Sequence, residues 1–409
     1  MTGGTANSAP QAVTLTLSPA RDLTIDVDTI ELGTSHRVAQ AGSRLGGKGI
    51  NVARVLAALG RSVYVQGPVN AADWPEDTGS DDGLLWDLTP TPAQLRRSYA
   101  IVESDGRATL FNEHASEHPA EVWAQIEEKL RLRLVEPQVR ALAISGSTPK
   151  DLPEGLIGRV VSAAHAAGVI VVVDTSGPAL ITAAAAGADW LKPNVDELAE
   201  IAAGAAGRAV AGPEGAGARA LIAAGAGAVL VSRGEEGMVL IDRTGERSAA
   251  RLDEPVRGNP TGAGDAVVAA LLSRLTARPD SGPDEATLLR KSDASSAPDV
   301  EPTLSDAEVD TVLPDTEVEA ILTDAVAVSA AAVLMPQAGA IHPSWKTLRD
   351  HVQITSPTAR TAHVAPTAHA VPTVLPRPAA PAAPTPSPVA PVTDATKTAA
   401  TDSADHLGE

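Results

Sequence analysis

The 409-residue sequence contains no cysteine. Disulfides, thiolate metal sites and thiol catalysis are therefore excluded, which suits a reducing compartment. Aromatic residues are scarce at 2%, so the core has to be built from Ala, Val, Leu and Ile. Positive charge is short as well. The formal net charge is −19, and lysine is confined to Lys48, Lys129, Lys150, Lys192, Lys291, Lys346 and Lys397. This balance argues against a general binder of nucleic acid or of anionic membranes, while allowing local basic patches that hold small phosphorylated ligands. No window approaches the length of a transmembrane span, and residues 1–10 lack the charged and apolar regions of a signal peptide. The expectation is a cytoplasmic protein with neither nucleic acid nor membrane as a partner.

What is present is an alternation of short apolar runs with helical patterns. Residues 13–17, 62–65, 141–145, 169–174, 190–191, 228–232 and 237–241 read as strands. Residues 50–59, 121–134, 154–167, 179–186, 195–203 and 216–224 read as helices, as do 266–275 and 315–335. Runs such as Val169-Ile170-Val171-Val172-Val173, apolar at every position, belong to a parallel sheet covered on both faces. The expected fold class is therefore α/β: a doubly wound, mostly parallel sheet with helices on both faces. Residues 23–32 and 35–41 alternate in polarity and predict a hairpin standing off that sheet, and 97–103 with 108–112 are further extended pieces. Residues 279–314 are acidic and rich in Ser, Asp and Pro, which reads as an insertion. Residues 357–409 are a Pro/Ala/Thr-rich tail to which no catalytic role is assigned.

Two glycine-rich stretches carry the chemistry. In Gly258-Asn259-Pro260-Thr261-Gly262-Ala263-Gly264-Asp265 a turn leads into an Ala/Leu-rich helix. The first turn of such a helix points unpaired N–H groups and a positive dipole end outward, which makes an anion site. Asp265 beside it is either a plain helix-start carboxylate or a base that takes a proton from an attacking hydroxyl. A dinucleotide fingerprint fails here, because Val267 stands where its third glycine belongs.

The second stretch is Gly42-Ser43-Arg44-Leu45-Gly46-Gly47-Lys48-Gly49, which leads into a helix. It begins like a P-loop, but Gly49 replaces the Ser or Thr that would reach magnesium. The remaining reading is that Gly46 and Gly47 let the backbone approach a ligand, while Lys48 and Asn51 offer a cation and an amide to a polyol or phosphate. Several strand ends carry polar loops: Ser145-Gly146-Ser147, Asp174-Thr175-Ser176-Gly177, Lys192-Pro193-Asn194 and Ser232-Arg233-Gly234. In a parallel sheet these ends converge on one edge. Asp22, after the first strand, is expected at the same edge.

With both motifs in place the sequence resembles the ribokinase-like (PfkB) sugar kinases. Gly46-Gly47-Lys48-Gly49-Ile50-Asn51-Val52-Ala53 is similar to that family's first signature, and Asn259-Pro260-Thr261-Gly262-Ala263-Gly264-Asp265 to its second. Ser18-Pro19-Ala20-Arg21-Asp22 and the Asn-Pro before Thr261 look most like the branch acting on phosphorylated hexoses, which comprises 1-phosphofructokinase, tagatose-6-phosphate kinase and a minor 6-phosphofructokinase.

The resemblance implies a kinase domain over about residues 11–352, with a small β lid from about 23–41 and 96–113 that often pairs in a homodimer. It implies ATP and Mg2+, and a reaction giving fructose 1,6-bisphosphate from fructose 1-phosphate. The neighbouring alternatives are tagatose 6-phosphate, fructose 6-phosphate or an unphosphorylated sugar as acceptor; outside that class stands a non-catalytic sugar binder. By the same resemblance Asp265 is the base, and the amides of Gly262, Ala263 and Gly264 form the anion hole. Asp22, Gly47, Lys48, Asn51, Arg96 and Asn112 face the substrate, with Lys48 and Arg96 on its phosphate. Lys192, Asn194, Ser232, Gly234, Gly237 and Thr261 line the nucleotide, and Asn194 with Glu197 organises the metal through water. Two departures stand out. Ser18 occupies the place of a usual asparagine, and Arg96-Arg97-Ser98 replaces the Arg-x-Asn common in the fructose-1-phosphate branch.

Overall fold

A computed structural model describes residues 10–39, 41–75, 83–204, 213–277 and 313–356. The 357–409 tail lies outside them, as does the acidic insertion apart from Leu313 and Pro314. In chain order the first elements are β1 (Ala12–Thr16), β2 (Ala20–Val27), β3 (Gly42–Gly46), α1 (Lys48–Ala58), β4 (Val63–Gln66), β5 (Pro68–Val69), β6 (Leu84–Trp86) and β7 (Thr89–Pro90). They are followed by β8 (Arg96–Glu103), β9 (Ala108–Asn112), α2 (Ala120–Leu134), β10 (Ala141–Ser145), α3 (Leu156–Ala166), β11 (Ile170–Asp174), α4 (Pro178–Ala185) and β12 (Trp190–Leu191). The last group is α5 (Val195–Gly204), α6 (Pro213–Ala224), β13 (Ala228–Ser232), β14 (Met238–Asp242), β15 (Gly245–Leu252), α7 (Ala263–Ala277), α8 (Asp315–Val333), α9 (Trp345–Leu348) and β16 (Val352–Thr355).

The main sheet has ten strands in the order β16-β15-β14-β13-β12-β11-β10-β1-β4-β6. From β13 through β6 neighbours run parallel, whereas β13 to β16 pair antiparallel. The reason lies in the connections. A helical crossover returns the chain in the same direction, but the few residues between β13 and β14 and between β14 and β15 only allow hairpins. Successive side chains of each central strand enter opposite cores. Ala12, Ala143 and Val172 pack on the side of α1, α7 and α8. Val13, Ile144, Val171 and Val173 pack on the side of α2 to α6. The two helices that follow the glycine motifs, α1 and α7, therefore lie on one face in mutual contact. That arrangement brings two motifs distant in sequence to one place.

A second sheet, in the order β3-β2-β8-β9, is separate from the first and contains the segments expected to form a lid. Its first hairpin differs from expectation. The partner of β2 is Gly42–Gly46, paired through Ala20↔Gly46 to Thr24↔Gly42, and not residues 35–41. Residues 35–39 are exposed and outside any strand. Val38, their one large apolar side chain, is itself exposed, so no buried apolar face holds a strand in register there. Asp22 is likewise part of lid strand β2 and not of a loop at the end of β1.

Trp123, fully buried on α2, anchors the second core, and its indole N–H donates to Asp151 Oδ2 at 2.7 Å. The same carboxylate oxygen accepts the backbone N–H of His118 at 2.7 Å. Trp123→Ala is expected to cost about 3–5 kcal/mol of stability in urea unfolding. A loss below about 1 kcal/mol, the range of surface substitutions, would contradict this packing role.

Candidate active site

The site is built around Asp265. Although it opens α7, Asp265 is 6% exposed, and its Oδ2 accepts a 3.0 Å hydrogen bond from Asn51 Nδ2 of α1. Burial raises its pKa to about 7; the nearby Asp174 carboxylate raises it too, while Lys48, Asn51 and Lys192 oppose the shift. Asp174, at the end of β11, is 1% exposed. Its Oδ1 lies 3.3 Å from Nζ of Lys48 and 3.3 Å from Nζ of Lys192. The two ammonium groups hold Asp174 below the usual carboxylate range against the opposing effect of burial. Asp174 in turn raises the pKa of Lys48. The result is a cluster of two carboxylates and two lysines, buried except for Lys48, whose side chain is 40% exposed.

The glycines of the first motif serve the chain itself. Gly47 has φ 107°, and a side chain there would meet Thr16 and Pro19 at about 3 Å. At Gly49 a Cβ would fall 2.5 Å from Thr16 Oγ1 and 3.0 Å from the Leu15 carbonyl. A Ser or Thr of a P-loop cannot be accommodated at that position. Gly46 likewise gives its space to the Asp22 carboxylate. The close approach expected toward a ligand is thus made toward β1 and Asp22. Burial raises the pKa of Asp22, and Arg44, then the Gly47 N–H and the Asn51 side chain, oppose that rise without cancelling it.

At the anion site, the Ala263 N–H is already committed to the Pro260 carbonyl at 3.1 Å. Gly262 and Gly264 keep N–H groups with no acceptor among the described residues, and a Cβ on Gly264 would sit 3.4 Å from Lys192 Nζ. A helix start with a lysine beside it is what the charge of a transferring phosphoryl group requires. Asn259, missed by the sequence reading, pins this turn by accepting the Thr261 N–H at 3.0 Å and donating to the Pro336 carbonyl at 2.9 Å.

A family model described as pfkB family carbohydrate kinase matches residues 16–343. The chain belongs to this family. Similar proteins include 1-phosphofructokinase of Xanthomonas campestris pv. campestris, 34% identical over 65% of this chain and 84% of that protein. 1-Phosphofructokinase of Rhodobacter capsulatus is 33% identical over 64% and 83%. Among solved structures, Escherichia coli phosphofructokinase-2 in complex with fructose-6-phosphate superposes with a TM-score of 0.62 at 24% identity, covering 84% of this chain and 99% of that one. Arabidopsis thaliana ribokinase with ribose and ATP gives 0.56 at 17% identity over 84% and 98%. These two establish the ribokinase-like fold.

In this carbohydrate kinase Ser232, Gly234, Gly237 and Gly264 line a cleft of about 560 Å³ that extends over Ala263 and Val326, a volume suited to a nucleotide. The β8–β9 turn reaches its rim, where Gly106, at φ 88°, lies against the backbone of Gly258. Lys192 and Asn194 do not line the cleft, although Asn194 bridges to Ser232 at its edge. Thr261 faces the other side, in a cavity of about 20 Å³ that it shares with Asp22, Arg44, Ser98 and Gln337. That volume holds a water and not a hexose. Asn194 and Glu197 form reciprocal bonds at the start of α5, each side chain accepting the other's N–H at 2.9 Å.

On the lid, Asp22 is paired with Arg44 on one side and Ser98 on the other, and Ser98 with Asn112. These four form one row, and Ser98 Oγ lies 2.8 Å from Asn112 Oδ1. Asn112 is exposed on the outer strand. Arg96 donates from Nε to Ser18 Oγ at 2.8 Å and from Nη2 to the Ser18 carbonyl at 3.2 Å, so the serine that departs from the family pattern orients this arginine. No helix among the described residues is long and apolar enough to cross a membrane.

The pKa of Asp265 near 7 fixes a pH dependence. A base acts only when deprotonated, so kcat/KM, which reports the free enzyme, is expected to fall as pH drops through about 7. In Asp174→Asn the carboxylate that raises Asp265 is gone while both lysines remain, and the acid limb should move to lower pH. A limb that stays in place or moves up in a pH–rate profile would separate Asp174 from the site's electrostatics.

Proposed function

We propose that this protein transfers the terminal phosphoryl group of ATP to a hexose phosphate, and that its acceptor is fructose 1-phosphate, giving fructose 1,6-bisphosphate. One observation carries the reading: the Asn51–Asp265 bond joins the two glycine motifs and leaves a buried carboxylate poised near neutral pH beside two lysines. Relatives named 1-phosphofructokinase support the acceptor. Tagatose-6-phosphate kinase of Staphylococcus epidermidis, 27% identical over 46% of this chain and 61% of its own length, motivates tagatose 6-phosphate as the second reading.

In this reading the acceptor hydroxyl gives its proton to the Asp265 carboxylate as its oxygen attacks the γ-phosphorus, the bond from that phosphorus to the bridging oxygen of the β-phosphate breaks, and ADP leaves with the bond's electron pair. Asn51 holds the base in place, so the proton moves without a search for geometry. The N–H groups of Gly262 and Gly264 and the Lys192 ammonium receive the negative charge spread over the transferring group. Lys48 balances the same charge from the α1 side. Arg96 and Asp22 hold the acceptor beneath the lid, and the cleft beside Ser232, Gly234 and Gly237 takes the nucleotide.

The donor set at the start of α5 fits a magnesium ion carried mainly by phosphate oxygens and water. Among the described residues no group of three or more His, Asp or Glu gathers, yet Glu197 lies near Lys48, and Asp174 Oδ2 is buried without a donor. Asn194 and Glu197 would hold such an ion through water, and its contribution would be neutralisation of phosphate charge. Leu110 and Phe111, about half exposed on β9, support a homodimer formed through the lid. The absence of cysteine accords with a cytoplasmic setting.

The test is ADP release from ATP with magnesium, offered fructose 1-phosphate, tagatose 6-phosphate, fructose 6-phosphate and free fructose in turn. Selective turnover of fructose 1-phosphate is expected, reduced about 10²–10⁴-fold in Asp265→Asn. Preference for tagatose 6-phosphate would establish the second reading, and full activity in Asp265→Asn would remove the base from the mechanism.

A further inference from the structure

The charges of the site are divided between two ends. Lys48 and Lys192 gather at Asp174 and Asp265, where phosphoryl transfer is proposed. The arginines gather instead around Asp22 on the lid side. Arg44 lies directly across from Asp22 in the β2–β3 pairing, and its charge acts on that carboxylate. Arg96 interacts with Asp22 as well, and Arg54 of α1 adds a third positive charge at longer range. The further carboxylate acting on Arg96 is Glu113, which is exposed. Beneath the lid, arginine thus outnumbers carboxylate.

Arg44 differs from Arg96 in one respect. Arg96 is committed to Ser18, whereas Arg44 Nη2 is buried with no acceptor among the described residues. It borders the same cavity as Asp22, Ser98 and Thr261. It also faces Gly339 together with Asn51: a Cβ there would lie 3.3 Å from Arg44 Nη2 and 2.9 Å from Asn51 Oδ1, which likewise lacks a donor. Arg44 is therefore set one side chain away from the residue that holds Asp265. Burying a guanidinium N–H without an acceptor is costly, and burial also lowers the Arg44 pKa. A neutral sugar would leave this excess of positive charge under the lid uncompensated. A phosphate monoester dianion supplies both the missing acceptor oxygens and the missing charge.

Resting on the kinase reading above, we propose that Arg44 of lid strand β3, with Arg96, clamps the phosphate that the acceptor already carries, and so sets the preference for phosphorylated over free hexoses. Lys48, which the sequence assigned to that phosphate, belongs with Asp174 to the transfer end.

The experiment compares wild type, Arg44→Met and Arg44→Lys on fructose 1-phosphate and free fructose at saturating ATP, with ATP binding by titration as the control for folding. In Arg44→Met the ratio of kcat/KM for fructose 1-phosphate to that for fructose is expected to fall about 10–100-fold. The loss should lie in KM more than in kcat, and Arg44→Lys should recover part of it. An equal loss on both sugars, or a loss confined to kcat, would overturn the assignment of Arg44 while leaving the kinase reading intact. A wild type that turns over none of the hexose phosphates would overturn the kinase reading, and this inference with it.

Discussion

Three buried ionisable groups, Asp174, Asp265 and Lys192, meet the partly exposed Lys48 at one end of the sheet. None of the buried three would be tolerable as an isolated charge, since an ion removed from water without a partner costs several kcal/mol. Asp174 and Lys192 follow two adjacent strands, Lys48 opens α1, and Asp265 opens α7. The cluster therefore ties together elements far apart in the chain. It also sets where Asp265 titrates: burial and Asp174 push its carboxyl up to about 7, while Lys48, Asn51 and Lys192 oppose the rise.

The lid supplies the complement. Its polar row Arg44–Asp22–Ser98–Asn112 runs across four strands, and only the inner part of that row reaches the cavity. Because the β8–β9 turn meets Gly258 at the rim of the large cleft, the second sheet also touches the loop leading to α7.

Much of the fold was legible. The apolar runs at 108–112, 141–145, 190–191 and 228–232 have the predicted bounds, and α1 to α8 begin and end within a few residues of the expected positions. Buried strands and breaker-free helices announce themselves through continuous hydrophobicity and flanking glycines. What escaped was short or half-exposed. β15, between β14 and the edge strand β16, carries Glu, Arg and Ser, and β5 and β7 are two residues each, too short for any period to show. The hairpin arm was misplaced because alternating polarity in residues 35–41 mimics a strand with no face to bury.

The sequence alone determined the chemistry on offer: a carboxylate beside a glycine-rich helix start, a lysine and an amide in a second glycine motif, and no thiol. These depend on residue type and local spacing, which the chain carries with it. Only the tertiary structure decided how the charges are shared. Arg44, read as part of a glycine loop, becomes a lid residue facing Asp22; Lys48 turns to Asp174; and the Ala263 amide is lost to Pro260. The physical reason is that partner choice among buried charges depends on distance and desolvation, and both are set by which strands and helices pack together and not by which residues are neighbours in sequence.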